Sequence, residues 1–130
     1  MFKLERLDIW KRAIEYADDI YVLTRSFPKE ERFGLISQLR RSSVSISSNI
    51  AEGISRSSDA DLGRFLEITH GSLLESVSEL VITQKQQFLN EEDFQRAYER
   101  AENLSKMLSG FRRTLKENSE PSALNFKLTR

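Results

Sequence analysis

The sequence predicts an all-α protein, an up-and-down antiparallel four-helix bundle, and three observations carry that reading. Apolar residues return at alternating steps of three and four, most strictly along Phe94, Ala97, Ala101, Leu104, Leu108, Phe111 and Leu115, the spacing that gives a helix one apolar stripe. Five glycines and two prolines in 130 residues supply too few turn signals for a many-stranded sheet. Stop and start signals divide the periodic stretch into four lengths with short connections, which forces neighbouring helices to run antiparallel.

The first helix is predicted over residues 8–26, with Asp8 as N-cap and a stripe of Trp10, Ala13, Ala17, Ile20 and Thr24 widened by Ile14 and Tyr21. Phe27-Pro28 stops it, because proline disfavours helical geometry at the residue before it while suiting the first turn of a new helix. The second helix follows over 29–53 and is unusual: from Phe33 to Ala51 its charges are the adjacent pair Arg40 and Arg41. Its seam, Ile36, Leu39, Ser43, Ile46, Ile50 and Gly53, keeps heptad spacing. Ser37, Ser42, Ser45, Ser47, Ser48 and Ala51 keep the remaining faces small and uncharged, so this helix is expected to be surrounded by others.

Gly53 and a serine-rich connection end the second helix, and Ser58 with Asp61 forms a capping-box-like start for the third. That helix is expected to reach about residue 88, with a core seam of Leu62, Leu66, Thr69, Leu73, Ser76 and Leu80 flanked by Phe65, Leu74, Val77 and Val81. Ile68 and Ile82 fall on its other side with Gly71, Ser72, Glu75 and Glu79 between them, a second seam that suggests contacts between subunits or two isoleucines left in solvent. Asn90 and Asp93 cap the fourth helix, which runs to residue 117. Residues 1–117 therefore form the bundle domain and 118–130 a tail in which Leu124, Phe126 and Leu128 alternate with polar residues.

Twenty basic and twenty acidic residues cancel, so no global positive field favours nucleic acid or an anionic membrane, and any such contact has to be local. Absence of cysteine excludes disulfides, thiolate metal ligands and a cysteine nucleophile, and fits a reducing, cytoplasmic setting. The charged start, with Lys3, Glu5, Arg6 and Asp8, is unlike a secretory signal, and no apolar run approaches the roughly 20 residues of a membrane span.

The densest polar set is Arg40, Arg41, Ser45, Asn49 and Glu52 on the second helix with Gly71, Ser72 and Glu75 on the third. Arg41, Ser45, Asn49 and Glu52 share one helix face by steps of four and three, and Glu75 is the expected partner of an arginine. The set reads first as a network fixing helix register or a subunit interface, and second as a surface on which an arginine grips phosphate or carboxylate. His70 is the lone histidine, and Glu67-Ile68-Thr69-His70 is a single copy of the Glu-x-x-His pair that di-metal bundles use in duplicate. Neither a metal nor a cofactor is therefore expected. The serines lack a nucleophile elbow or a Gly-rich phosphate loop, so no catalytic residue is assigned and the protein is expected not to be an enzyme. Lys106, Arg112, Arg113 and Lys116 make the end of the fourth helix basic, which suits the helix dipole and offers a nucleic-acid contact if an oligomer repeats it.

At Phe27-Pro28-Lys29-Glu30-Glu31-Arg32-Phe33-Gly34-Leu35, at Gln38-Leu39-Arg40-Arg41-Ser42-Ser43-Val44-Ser45-Ile46 and at Asn49-Ile50-Ala51-Glu52-Gly53, the sequence resembles a bacterial family. This is the "four helix bundle protein" family first noticed as open reading frames within intervening sequences of large-subunit ribosomal RNA genes, similar to the accessory variability determinant of diversity-generating retroelements. Leu4-Asp8-Trp10 and Gly71-Ser72-Leu73-Glu75 fit the same pattern, and the resemblance covers about residues 4–115. It implies a ring-like homopentamer, and the retroelement relatives are basic barrels that bind nucleic acid and a reverse transcriptase. The chain departs at Thr69, where the family usually has alanine, and in its neutral charge. The expectation is a non-enzymatic, homo-oligomeric, pentameric scaffold that binds an unidentified protein or nucleic-acid partner and no membrane.

Overall fold

A 3-10 turn, Lys3–Arg6, leads through Leu7 into α1, Asp8–Thr24. The structure, a computed structural model, describes residues 1–117, so the tail with Leu124, Phe126 and Leu128 lies outside the described residues. A second 3-10 turn, Lys29–Glu31, precedes α2, Leu35–Ile54, which is followed by α3, Asp59–Lys85, and α4, Glu91–Glu117. Each helix packs on the next and α4 closes on α1, with α2 and α3 sharing the most extensive contact. The result is an all-α, up-and-down four-helix bundle in which α1/α3 and α2/α4 are the diagonals.

Helix boundaries follow local chemistry. Asp8 is the first helical residue and makes no side-chain cap bond, so it acts through its charge at the positive helix end rather than as the expected N-cap. The second helix starts later than its charge pattern predicts. Lys29–Glu31 closes a separate 3-10 turn, and Glu31 Oε1 accepts from the Leu35 amide at 3.2 Å, meeting one of the unpaired donors at the start of α2. Ser58 Oγ accepts from the Asp61 amide at 3.1 Å and Asn90 Oδ1 from the Asp93 amide at 2.7 Å, the N-caps anticipated for α3 and α4. α3 stops at Lys85 rather than near residue 88, because Gln87 adopts φ 62° and the amides of Phe88 and Gln87 bond to Thr83 O (3.1 Å) and Gln84 O (3.0 Å). That double closure is a Schellman stop with glutamine where glycine is usual.

The seven-residue stripe of α4 is buried throughout, as are Leu62, Leu66, Thr69, Leu73, Ser76 and Leu80 of α3 and Leu39, Ser43, Ile46, Ile50 and Gly53 of α2. α1 buries Ala13, Ala17, Ile20 and Thr24 as expected but widens its stripe on the other flank. Its buried residues are Ile9, Ala13, Tyr16, Ala17, Ile20, Leu23 and Thr24, while Ile14 and Tyr21 are exposed and Trp10 is half-buried. Ile9-Ala13-Tyr16-Ile20-Leu23 is a strict four-three alternation, and Tyr16 holds its place because Ser76 meets its hydroxyl. Leu74, expected to flank the core, is exposed, since the adjacent Leu73 occupies the inward position.

The polar face of the α2–α3 pair

Small residues bring α2 and α3 together. A Cβ at Gly53 would stand 2.9 Å from Leu62 Cδ1 and 3.0 Å from Phe65 Cβ, so the two helices meet there at a distance that only glycine allows without a shift. Further along, Ser45 and Ser72 share a 2.8 Å hydrogen bond, and the Asn49 amide nitrogen donates to Ser45 Oγ (2.9 Å) and to Ser45 O (2.8 Å). Of the predicted polar set, these three are the residues the fold joins into a network.

The others separate. Arg40 turns to the α1 side, where its Nε donates to Thr24 Oγ1 at 2.9 Å and its guanidinium lies 4.6 Å from the Tyr21 ring centre. Glu52 pairs with Arg56 one turn on, at 3.1 Å, in an exposed bridge of small energetic weight. Arg41 and Glu75 are exposed and form no ion pair among the described residues, so the expected arginine–Glu75 contact is not formed within one chain. A Cβ at Gly71 would meet nothing within 4 Å, which leaves the outer face of α3 open there. The face of α2 that carries Arg41, Val44, Ser48 and Glu52 is likewise exposed, so the helix expected to be surrounded is covered on its inner faces alone.

Glu79 was placed with the outer seam by its spacing, yet it is 7% exposed and its Oε1 accepts from Ser42 Oγ at 2.7 Å. Burial raises its carboxyl above the ordinary value, the Ser42 bond opposes that rise, and the neighbouring charge of Glu75 adds to it. Across the bundle diagonal, Ser76 Oγ donates to Leu73 O at 2.7 Å, so the Tyr16 hydroxyl donates to Ser76 at 2.8 Å. Burial pushes Tyr16 up to about 12, with Ser76 lowering it and Glu79 adding to the rise. Thr24 is buried as its place in the α1 stripe predicts, Glu79 lies inside rather than on the outer seam, and Tyr16 is the polar core residue that sequence reasoning missed, its signal being its heptad position.

Lys106, Arg113 and Lys116 are exposed and Arg112 is half-buried. Arg112, Arg113 and Lys116 line a groove of about 770 Å³ between the start of α3 and the end of α4, with Ala60, Gly63 and Leu115 as its apolar part and Asp59 as an acid in its wall; Lys106 stands apart from it. Among the described residues no three histidines, cysteines or carboxylates gather as a metal site, and no helix is long and apolar enough to cross a membrane.

A solved structure of a protein of unknown function from the S23 ribosomal protein family of Bacteroides thetaiotaomicron VPI-5482 has the same fold. It is similar at TM-score 0.72 and 24% identity, over 77% of this chain and 94% of that one. No curated protein matches the chain. The model of the 23S rRNA-intervening sequence protein family matches residues 5–110. A match over that span, on a bundle of the same fold, means that the chain belongs to the 23S rRNA-intervening sequence protein family.

Proposed function

We propose that the protein is a non-enzymatic scaffold that assembles with copies of itself, as a pentamer, and presents the ring to a macromolecular partner. The observation that carries this reading is the outer face of the α2–α3 pair. Ile68 and Ile82 are 50% and 45% exposed, Gly71 leaves open space between them, and Val44 and Ser48 of α2 stand exposed near the same surface. Glu75, exposed and without an ion pair among the described residues, calls for a cation from a different patch of a neighbouring copy, the arrangement that closes into rings. Ser45, Asn49 and Ser72 hold the two helices that carry this face in register, Arg40 ties α2 to α1, and Glu52 edges the face. The number five comes from the resemblance described above.

Light scattering over micromolar concentrations tests the assembly. The expected result is a species well above the 15.1 kDa chain, and Ile68→Glu is expected to shift it toward monomer with helical content unchanged; a monomer for the parent chain refutes the reading. A second reading, nucleic-acid binding at the end of α4, is favoured by the cationic groove of Arg112, Arg113 and Lys116. Repetition around an oligomer multiplies its few charges, and a steep loss of RNA affinity with salt is its expected signature.

A further inference from the structure

The segment before α2 leaves a phenylalanine out in solvent. Glu31 Oε1 accepts from the Leu35 amide at the junction of the 3-10 turn and α2, and Phe33, between them, is 87% exposed. An isolated exposed apolar residue means little, but the surroundings of this one are unusual. The Arg32 guanidinium lies 5.4 Å from the Phe33 ring centre, and the Arg40–Tyr21 stack borders the same groove of about 670 Å³. Arg41 completes a set of three arginines, and no carboxylate lines the groove, in a chain whose charges otherwise cancel.

We propose that this α1–α2 groove is a stacking site for single-stranded nucleic acid, with an unpaired base on the open face of Phe33 and adjoining phosphates on Arg41 and Arg32. Aromatic rings and guanidinium planes stack on bases of any sequence, and the planar arginine fork matches phosphate. Arg40 serves as a positioning residue: its Nε is committed to Thr24, which holds its plane flat against Tyr21. An acidic polypeptide would satisfy the arginines as well, but the two ring–guanidinium stacks and the exposed ring face fit a ligand that brings planar groups and negative charge at short intervals. The proposal goes beyond self-association, and it shares a ligand class with the α4 reading while resting on a different surface.

Fluorescence anisotropy of the full chain with labelled oligouridylate, and with an RNA duplex of equal length, tests it. Single strands are expected to bind and duplex to bind weakly. Two phosphate contacts give a log–log salt slope of about −1.4 for single strands. Phe33→Ala is expected to weaken binding about tenfold or more, with Phe33→Tyr restoring it. Arg41→Gln should weaken binding and flatten the slope by about 0.7, whereas Lys11→Gln, at an exposed lysine of α1 outside both grooves, should leave both unchanged. The proposal is overturned by absence of binding, by equal binding of duplex, by indifference to Phe33→Ala, or by an equal loss on Lys11→Gln. Displacement of the RNA by a glutamate-rich, phenylalanine-containing peptide at lower concentration than unlabelled RNA also overturns it, in favour of a protein partner. Light scattering on every variant separates these outcomes from failure of assembly.

Discussion

The inner face of α4 and the α2–α3 pair solve the same packing problem with opposite materials. α4 presents seven apolar residues in unbroken alternation, all buried, and its link to α1 is trimmed by the Asp19–Arg100 ion pair at the rim. α2 and α3 instead approach through glycine and hydroxyl groups, with Gly53 against Leu62 and Phe65, Ser45 on Ser72, and Ser42 on a buried carboxylate. Large side chains fill space and bury area, whereas small ones let backbones close in and leave directional bonds to set the register. One side of the molecule therefore supplies stability, and the other supplies geometry and an outer surface free for neighbours.

The contrast is sharpest in the cost of shortening or lengthening a side chain. Leu104→Ala, on the apolar side, is expected to lower unfolding stability by about 2–5 kcal/mol through a cavity that neighbours cannot fill, read from urea or thermal unfolding. On the small-residue side the damaging change runs the other way. Gly53→Ala inserts a methyl against Leu62 and Phe65, at a cost of about 1–3 kcal/mol for overpacking, partly offset by about 1 kcal/mol of better helix propensity. A stabilised Gly53→Ala protein would break the comparison.

Hydroxyl contacts come next. Tyr16→Phe removes the donor to Ser76 without creating a cavity and is expected to cost about 0.5–1.5 kcal/mol; an effect as large as that of Leu104→Ala would make the bond a main support of the fold. The smallest effect is one of pH. Glu79 has a folded value raised above the ordinary 4.5, so the folded state holds its proton longer than the unfolded chain does. The resulting stability is fully present below the unfolded value and is lost as pH rises through the folded one. Glu79→Gln keeps an acceptor for Ser42 and removes that slope. Denaturation of parent and variant between about pH 4 and 7 should show curves that converge in acid and separate toward neutrality, with the variant the more stable.

Much of the architecture was legible in the sequence because α4, Ser58 and Asn90 announce themselves through spacing and caps that need no tertiary knowledge. In α1 the stripe of Ala13, Ala17, Ile20 and Thr24 was legible but its Tyr16 side was not, because tyrosine looks like a boundary residue until its hydroxyl is known to find Ser76, 60 residues away. Glu79 failed for the same reason, since its acceptor contact with Ser42 is made by a different helix. Ser45, Asn49 and Ser72 meet because antiparallel neighbours must bring them to one level, while Arg40 leaves for Thr24, a choice fixed by where α1 ends. Arg32 and Phe33 give no sign of a site in the sequence, because the turn that precedes them sits where the periodicity predicts a continuous helix.

The two connections at one end of the bundle are joined by an aromatic contact: Phe27, after α1, lies with its ring centre 5.9 Å from that of Phe88, after α3. Each connection also closes locally, one through the Phe27 and Glu31 amides, the other through the stop at Gln87 and the Asn90 cap. α1–α2, α2–α3 and α3–α4 are each hairpins whose contacts lie close in sequence and are expected to form fast, whereas closing α4 on α1 joins distant stretches of chain and is expected to be slower. The Phe27–Phe88 pair joins two connections far apart in sequence, which makes it a natural reporter on completion of the bundle at that end.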